Sequence, residues 1–141
     1  MKVYERAVRF EDVDVVGIVF FANFLHYAHE AMEHFFGDAE GGYHGLILRR
    51  RVGFPTVRVD AEYLAPLRYG DVVRIETSSA RIGTRSAVLR YRFVRAGDGR
   101  LAADVRHTVV CTDLDALASC EMPADVRSVL EAHLEAPGSA P

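Results

Sequence analysis

The sequence predicts an α+β domain in which a curved antiparallel sheet lies over one long helix. A helical apolar repeat comes early: Leu25, Ala28, Met32 and Phe35 recur at spacings of three and four, and Phe24, Ala31 and Phe36 widen the stripe. The second half of the chain instead carries four strand-like stretches divided by turn signals. One strand, the long helix, then four strands able to pair antiparallel is an order that calls for a curved sheet laid over the helix.

Residues 3–10, "VYERAVRF", form the first strand, with Tyr4, Arg6, Val8 and Phe10 on one face and Glu5 and Arg9 on the other; Arg6 breaks the clean alternation. The polar turn "EDVDVVG" ends it. The helix begins near Ala22 or Asn23, where Asn23 is placed to cap the free amides, and stops near Gly37. "GDAEGGYHG" reads as a glycine-rich loop without the lysine and hydroxyl residue of a phosphate-binding loop.

The strand at 54–66 sets Val57, Val59, Ala61 and Tyr63 against Arg58, Asp60 and Glu62, and Pro66 with "RYGD" closes it. Strands at 72–82 and 84–96 join at Gly83, and a strand at 100–114 follows the "AGDGR" turn. A short helix, 123–134, turns Val126, Val129, Leu130 and Leu134 inward. Residues 1–135 therefore read as a single domain, and "APGSAP", 136–141, as a flexible tail.

Composition narrows the function. With 50% apolar residues, 26% charged and a net charge of −3, the chain looks like an ordinary globular protein with no overall attraction for nucleic-acid phosphate. Lys2 is the only lysine among the 17 basic residues, so anion recognition falls to arginine, although the bias is equally consistent with genome composition. Cys111 and Cys120 are too few for a disulfide framework and read as thiols in a reducing cytoplasm. No signal-peptide pattern or uninterrupted apolar window of membrane-spanning length occurs, so a cytoplasmic protein is expected. "HEAMEH" resembles a zinc-protease motif, but His29 and His34 are five apart rather than four, and no metal is expected. A Gly-x-Ser-x-Gly elbow is missing too.

The run Phe10, Asp12, Asp14, Gly17, Ile18, Val19, Phe20, Phe21, Ala22, Asn23, Phe24 matches an aromatic strand end, an Asp-x-Asp-x-x-Gly turn, an aromatic pair and a helix start. This opening resembles the hotdog-fold acyl-CoA thioesterases of the 4-hydroxybenzoyl-CoA thioesterase type, including the bacterial thioesterase associated with the Tol-Pal system. "PTVRVDAEYLAPLRYGDVV" and "VRHTVVCTD" extend the resemblance over roughly residues 3–126. Many relatives of the Tol-Pal type carry Tyr-His where this chain has Phe20 and Phe21, so a histidine side chain is missing here while the backbone amide of Phe21 remains.

The resemblance implies a hotdog fold and hydrolysis of an acyl-CoA to free acid and CoA. It makes Asp14 the catalytic carboxylate, as nucleophile or general base, and the backbone amides of Phe21 and Ala22 the groups that polarise the carbonyl. On position alone, without the resemblance, Asp14 reads as a plain turn aspartate binding its own backbone. Asp12 is expected to face solvent or stabilise the turn, Gly17 to give the backbone room, and Asn23 to cap the helix or touch substrate. Glu30 is assigned a subunit-interface role or a supporting one at the site.

Phe24, Phe54 and Tyr63 are candidate walls of the acyl pocket, with core packing as the alternative, and Arg49, Arg50, Arg51, Arg81 and Arg85 are candidate donors to the phosphates of CoA. No cofactor is implied beyond the CoA of the substrate. Open sheet edges and the resemblance together imply a homo-oligomer, a dimer or tetramer with composite sites. A carrier-protein thioesterase and a non-catalytic acyl-thioester-binding module are the alternatives.

Overall fold

The computed structural model describes residues 1–137. Its main sheet has five strands, β1 (Lys2–Ala7), β3 (Thr56–Tyr63), β4 (Val72–Ile82), β5 (Ser86–Arg95) and β6 (Leu101–Val110). They are hydrogen-bonded in the order β1-β4-β5-β6-β3 with every pair antiparallel. A small second sheet joins β2 (Val52–Gly53), β7 (Thr112–Asp113) and β8 (Ala118–Ser119). The helices are α1 (Phe21–Phe35), α2 (Gly42–Leu48) and α3 (Ala124–Ala132). This is the hotdog architecture: one face of the sheet packs on α1.

Alternation builds the core. Val73 and Ile75 of β4, Leu89, Tyr91 and Phe93 of β5, and Val105 and Val109 of β6 are all buried. They meet Phe24, Tyr27, Ala28, Ala31, Met32 and Phe35 of α1, which recur at helical spacing. Each such side chain contributes roughly 1.5–3 kcal/mol by leaving water. Leu25, expected in this stripe, is 40% exposed, because the helix turns it toward the thin side of the sheet at β3. β3 is exposed along its whole length and forms one edge of the sheet.

Several expected boundaries move. β1 ends at Ala7, and Phe10, expected on the strand's apolar face, sits exposed in a single 3-10 turn, Phe10–Asp12. The segment read as a glycine-rich loop contains α2: Gly41 and Gly42 take φ of +78° and +65° to enter it, and the buried Leu46 provides the packing that offsets poor helix propensity. Leu134, expected inside, is half exposed beyond the end of α3. Of the expected tail, residues 138–141 lie outside the described residues. Just before it, the Ser79 amide donates to His133 O and the Glu135 amide to Ser79 O, both at 2.9 Å, covering the edge of β4 beyond its last partner in β1, Lys2.

Cys111 and Cys120 are free thiols with Sγ atoms 3.6 Å apart. Burial, and then the neighbouring Cys120, push the Cys111 thiol up to about 12, so it stays neutral and unreactive. No helix among the described residues is long and apolar enough to cross a membrane.

Arg50 clamps α3 to α2. Its guanidinium donates to Asp125 at 2.7 and 2.8 Å, and the Glu40 amide donates to the same carboxylate at 2.9 Å. The Arg50 hydrogen bonds hold Asp125 far below the usual carboxylate range, outweighing the opposing effect of burial. A carboxylate depressed in the folded state stabilises fully above its unfolded pKa, and that contribution begins to fall below that value and is lost as pH falls through the lower folded one. Discounted for partial exposure, Asp125→Asn should cost about 1 kcal/mol at pH 7. The difference should shrink below about pH 4, and urea midpoints at pH 7 and pH 3 check this.

Candidate active site

The site starts from a charge in the wrong place for a simple strand. Arg6 points inward from β1 and is only 5% exposed. A buried guanidinium needs carboxylate partners. It has two, with Nη1 3.0 Å from Asp12 Oδ2 and Nε 2.9 Å from Glu30 Oε1, and its head lies 4.6 Å from the Tyr27 ring centre. Asp12 Oδ2 also accepts from the Tyr27 hydroxyl at 2.6 Å and the Arg9 amide at 2.8 Å, while the Tyr4 hydroxyl donates to Glu30 at 2.8 Å.

Burial by itself would raise the pKa of Asp12, but the Tyr27 hydroxyl, the Arg9 amide and Arg6 outweigh it and hold the carboxyl below its ordinary value. Tyr27 shifts upward, through burial and then its bond to Asp12. The solvent-facing option for Asp12 is therefore wrong and the turn-stabilising one is right. Glu30, for which an interface role or a supporting one was expected, accepts within its own chain from Arg6 and Tyr4, with His26 Nε2 3.3 Å away.

Fixing Asp12 fixes the loop. Its carbonyl accepts from the Phe20 amide at 3.1 Å and from Asn23 Nδ2 at 2.8 Å. Asn23 is thus not the helix cap: α1 begins two residues earlier, after Phe20, and the Asn23 side chain ties the helix to the loop. Between these anchors the Asp14 amide donates to Ile18 O and the Gly17 amide to Asp14 O, both at 2.9 Å, while Val13 bridges Val19. Gly17 has φ of +85°, and a Cβ there would meet nothing within 4 Å. The left-handed conformation is what lets the backbone make this tight turn, the use expected of Gly17.

The loop carries Asp14 to one side of the opening of α1. Oδ1 accepts the Val16 amide at 2.9 Å, so the turn reading is correct for one oxygen. The other oxygen has no hydrogen bond among the described residues. At the helix start the Phe20 amide goes to Asp12 O and the Asn23 amide to Phe20 O, leaving those of Phe21 and Ala22 without an acceptor among the described residues. These two amides sit at the positive end of the helix dipole.

Asp14, Phe21, Phe24 and Tyr63 line one cleft of 630 Å³, together with Ile18 and residues 64–66. Phe24 is buried, edge-on to Tyr63 at 5.2 Å and to Phe93 at 5.5 Å, and the Tyr63 hydroxyl donates to Phe21 O at 3.3 Å. Asp14 is the only charged residue of an otherwise largely apolar lining. Such a cleft can hold an apolar acyl group with its carbonyl oxygen toward free amides and its carbon within reach of a carboxylate.

Other candidates lie elsewhere. Phe54 stacks on Phe36 at 4.7 Å in the core and does not reach the cleft. None of the five candidate arginines lines it. Arg49 lies 3.6 Å from Glu40, Arg50 clamps Asp125, Arg51 pairs with Asp115 at 3.0 Å, and Arg85 donates to Ser119 at 3.2 Å. Arg81 is exposed and has no partner among the described residues. A nearer cation went unnoticed: Arg68, exposed, on the segment bridged to Ile18. The sequence reading marked Arg6 only as a break in the strand's alternation and gave neither it nor Tyr27 a role at the site. Among the described residues no group of three or more His, Cys, Asp and Glu could hold a metal ion, and His29 lies 3.0 Å from Glu33.

Comparison with known proteins gives a consistent picture. The thioesterase-like superfamily matches residues 8–130. The 1,4-dihydroxy-2-naphthoyl-CoA hydrolase of Nostoc punctiforme is 31% identical over 130 residues, 92% of this chain and 86% of that protein. The solved structure of a gentisyl-coenzyme A thioesterase superposes with a TM-score of 0.79 at 33% identity, over 89% of this chain and 99% of that one. A thioesterase superfamily protein from Jannaschia sp. CCS1 reaches 0.87 at 27% identity, over 96% and 94%.

Arg6→Met strands two carboxylates beside an apolar side chain and should destabilise the fold by about 3–5 kcal/mol. Tyr27→Phe, which removes one donor from Asp12, should cost about 1.5–3 kcal/mol. Urea unfolding of both variants checks the order as well as the size.

Proposed function

Because the chain belongs to the thioesterase-like superfamily, we infer that it hydrolyses an acyl-CoA thioester, with Asp14 as the reacting carboxylate. It is an acyl-CoA thioesterase by kinship with the CoA hydrolases and thioesterases it resembles. One observation supports the residue assignment: Asp14 and Phe21 line the same apolar cleft, and among the described residues one oxygen of Asp14 and the amides of Phe21 and the adjoining Ala22 have no partner.

The thioester carbonyl oxygen accepts the two amides, which stabilise the negative charge that grows on it as the carbon becomes tetrahedral. In one route Asp14 attacks the carbon, the C–S bond breaks, CoA leaves as thiolate, and water then hydrolyses the acyl-aspartyl anhydride. In the other, Asp14 takes a proton from water as its oxygen adds, and the tetrahedral intermediate expels the thiolate, which is protonated to CoA thiol. After turnovers in ¹⁸O water, label in the Asp14 side chain identifies the first route with water attacking the aspartyl carbon, because the second route never labels it. The opening motif further suggests the 4-hydroxybenzoyl-CoA thioesterase subtype. The phosphates of CoA would be met by arginines outside the cleft, with Arg68 the nearest candidate of those described and a second subunit supplying others.

That second subunit is part of the proposal. β3 is an open edge with both faces exposed, Val57 being 62% and Val59 40% accessible, and a second copy of the chain pairing there would cover it. Analytical ultracentrifugation should give a dimer or tetramer, and a monomer at micromolar concentration contradicts the pairing.

Asp14→Asn preserves the acceptor for the Val16 amide and should lower kcat for CoA release at least about 100-fold while the far-ultraviolet spectrum and assembly persist. Unchanged turnover removes Asp14 from the reaction. Hydrolysis restricted to carrier-protein thioesters, or binding without release, would favour the alternatives.

A further inference from the structure

One helical turn beyond the cleft, between the same helix and the same edge strand, lies a second cavity of 280 Å³. Ala28, Val59 and Val105 form apolar walls, and its polar groups are Thr56, His107 and His29. Phe24 and Tyr63 line the first cleft and Ala28 and Val59 the second, so the two follow each other along α1 and β3. From Phe21 to Ala28 the helix advances about 10 Å at a rise of about 1.5 Å per residue.

The polar end is a directed chain of hydrogen bonds. Tyr91 is fully buried, and His107 is the only hydrogen-bond partner of its hydroxyl among the described residues, with Nδ1 at 3.0 Å. A hydroxyl so deep must donate or leave its proton unpaired, so Nδ1 is the acceptor. Burial lowers the pKa of His107, with the nearby His29 adding to the effect, and the ring is held neutral. The neutral ring then carries its proton on Nε2, which faces Thr56 Oγ1 at 2.6 Å and donates to it. The Thr56 proton is left pointing away from His107. His29 is turned to Glu33 at 3.0 Å and does not compete for Thr56.

Thr56 faces this cavity because the strand is irregular. Residues three apart on a regular strand lie on opposite faces, yet Thr56 and Val59 line the same cavity. The register shift between Thr56 and Arg58 against β6 accounts for it, a bulge that re-aims one side chain.

We propose that the Thr56 hydroxyl, oriented by Tyr91 and His107, reads the far end of the acyl group, so that the preferred substrates are acyl-CoA thioesters with an apolar body ending in a hydroxyl or carbonyl oxygen about 10 Å from the helix opening. This rests on the hydrolase reading above. Thr56 is the contact, and His107 and Tyr91 are positioning residues. An oxygen next to the thioester gains nothing from Thr56.

The test compares kcat/KM for three rigid substrates: 2-naphthoyl-CoA, 6-hydroxy-2-naphthoyl-CoA, whose oxygen lies at the far end, and 3-hydroxy-2-naphthoyl-CoA, whose oxygen lies beside the thioester. The 6-hydroxy compound should be preferred over the parent by about tenfold, as one hydrogen bond provides, and the 3-hydroxy compound should not be. Thr56→Val should bring the ratio near one, Thr56→Ser should retain it, and His107→Gln should retain more of it than His107→Phe. CoA release from all three at similar kcat/KM overturns the inference and leaves the hydrolase reading standing. So does release from short acyl-CoAs with none from the naphthoyl thioesters. No release from any acyl-CoA overturns both.

Discussion

The buried charge of Arg6 is the constraint on which the rest of the site depends. A guanidinium on the inner side of β1 can persist only with carboxylates beside it, and the chain provides one from the following turn and one from the helix, Asp12 and Glu30. That pairing sets where the loop lies on α1. With Asp12 fixed, its carbonyl claims the Phe20 amide and the Asn23 side chain, and the helix opens with the next two amides unclaimed among the described residues. Stability and reactivity are divided between neighbours: the aspartate that holds the turn is buried, and the one two residues on is exposed.

The central helix has two tasks with different demands. Along its length Tyr27, Ala31 and Phe35 are packed against the sheet, which needs apolar side chains at helical spacing. At its first turn it must leave backbone donors exposed to a cleft, which needs no particular side chain. Phe21 can therefore occupy this position without loss of the amide. Its exposed ring, with that of Phe20 at 4.8 Å, forms an apolar lip at the mouth of the cleft.

The fold was legible in the sequence because it is written in periodicity: four strands and two of the three helices appear close to where the alternation and the helical stripe place them. α2 was hidden because glycine marks loops on local grounds, whereas the burial of Leu46 is a tertiary fact. The roles of individual polar residues were harder. Asn23 looks like a cap by position, and only the location of the Asp12 carbonyl shows otherwise. Gly17 was recognised as the residue of a tight turn, and its positive φ shows how that turn is made. Phe54 could not be separated from Phe24 by type, and the arginines could not be sorted into paired and free without the acids that face them, such as Asp125 for Arg50. Thr56 and His107 come together through a bulge, which no spacing rule reveals.

The central claim is that the first amides of α1 polarise a thioester carbonyl held beside Asp14. The most direct measurement is the carbonyl stretching frequency of an isotope-edited acyl-CoA bound to the slow Asp14→Asn variant. Donation from the Phe21 and Ala22 amides weakens the C=O bond, so the band should fall below its frequency in water. A band at or above the aqueous value would mean that the carbonyl does not meet the helix opening, and the account would be wrong.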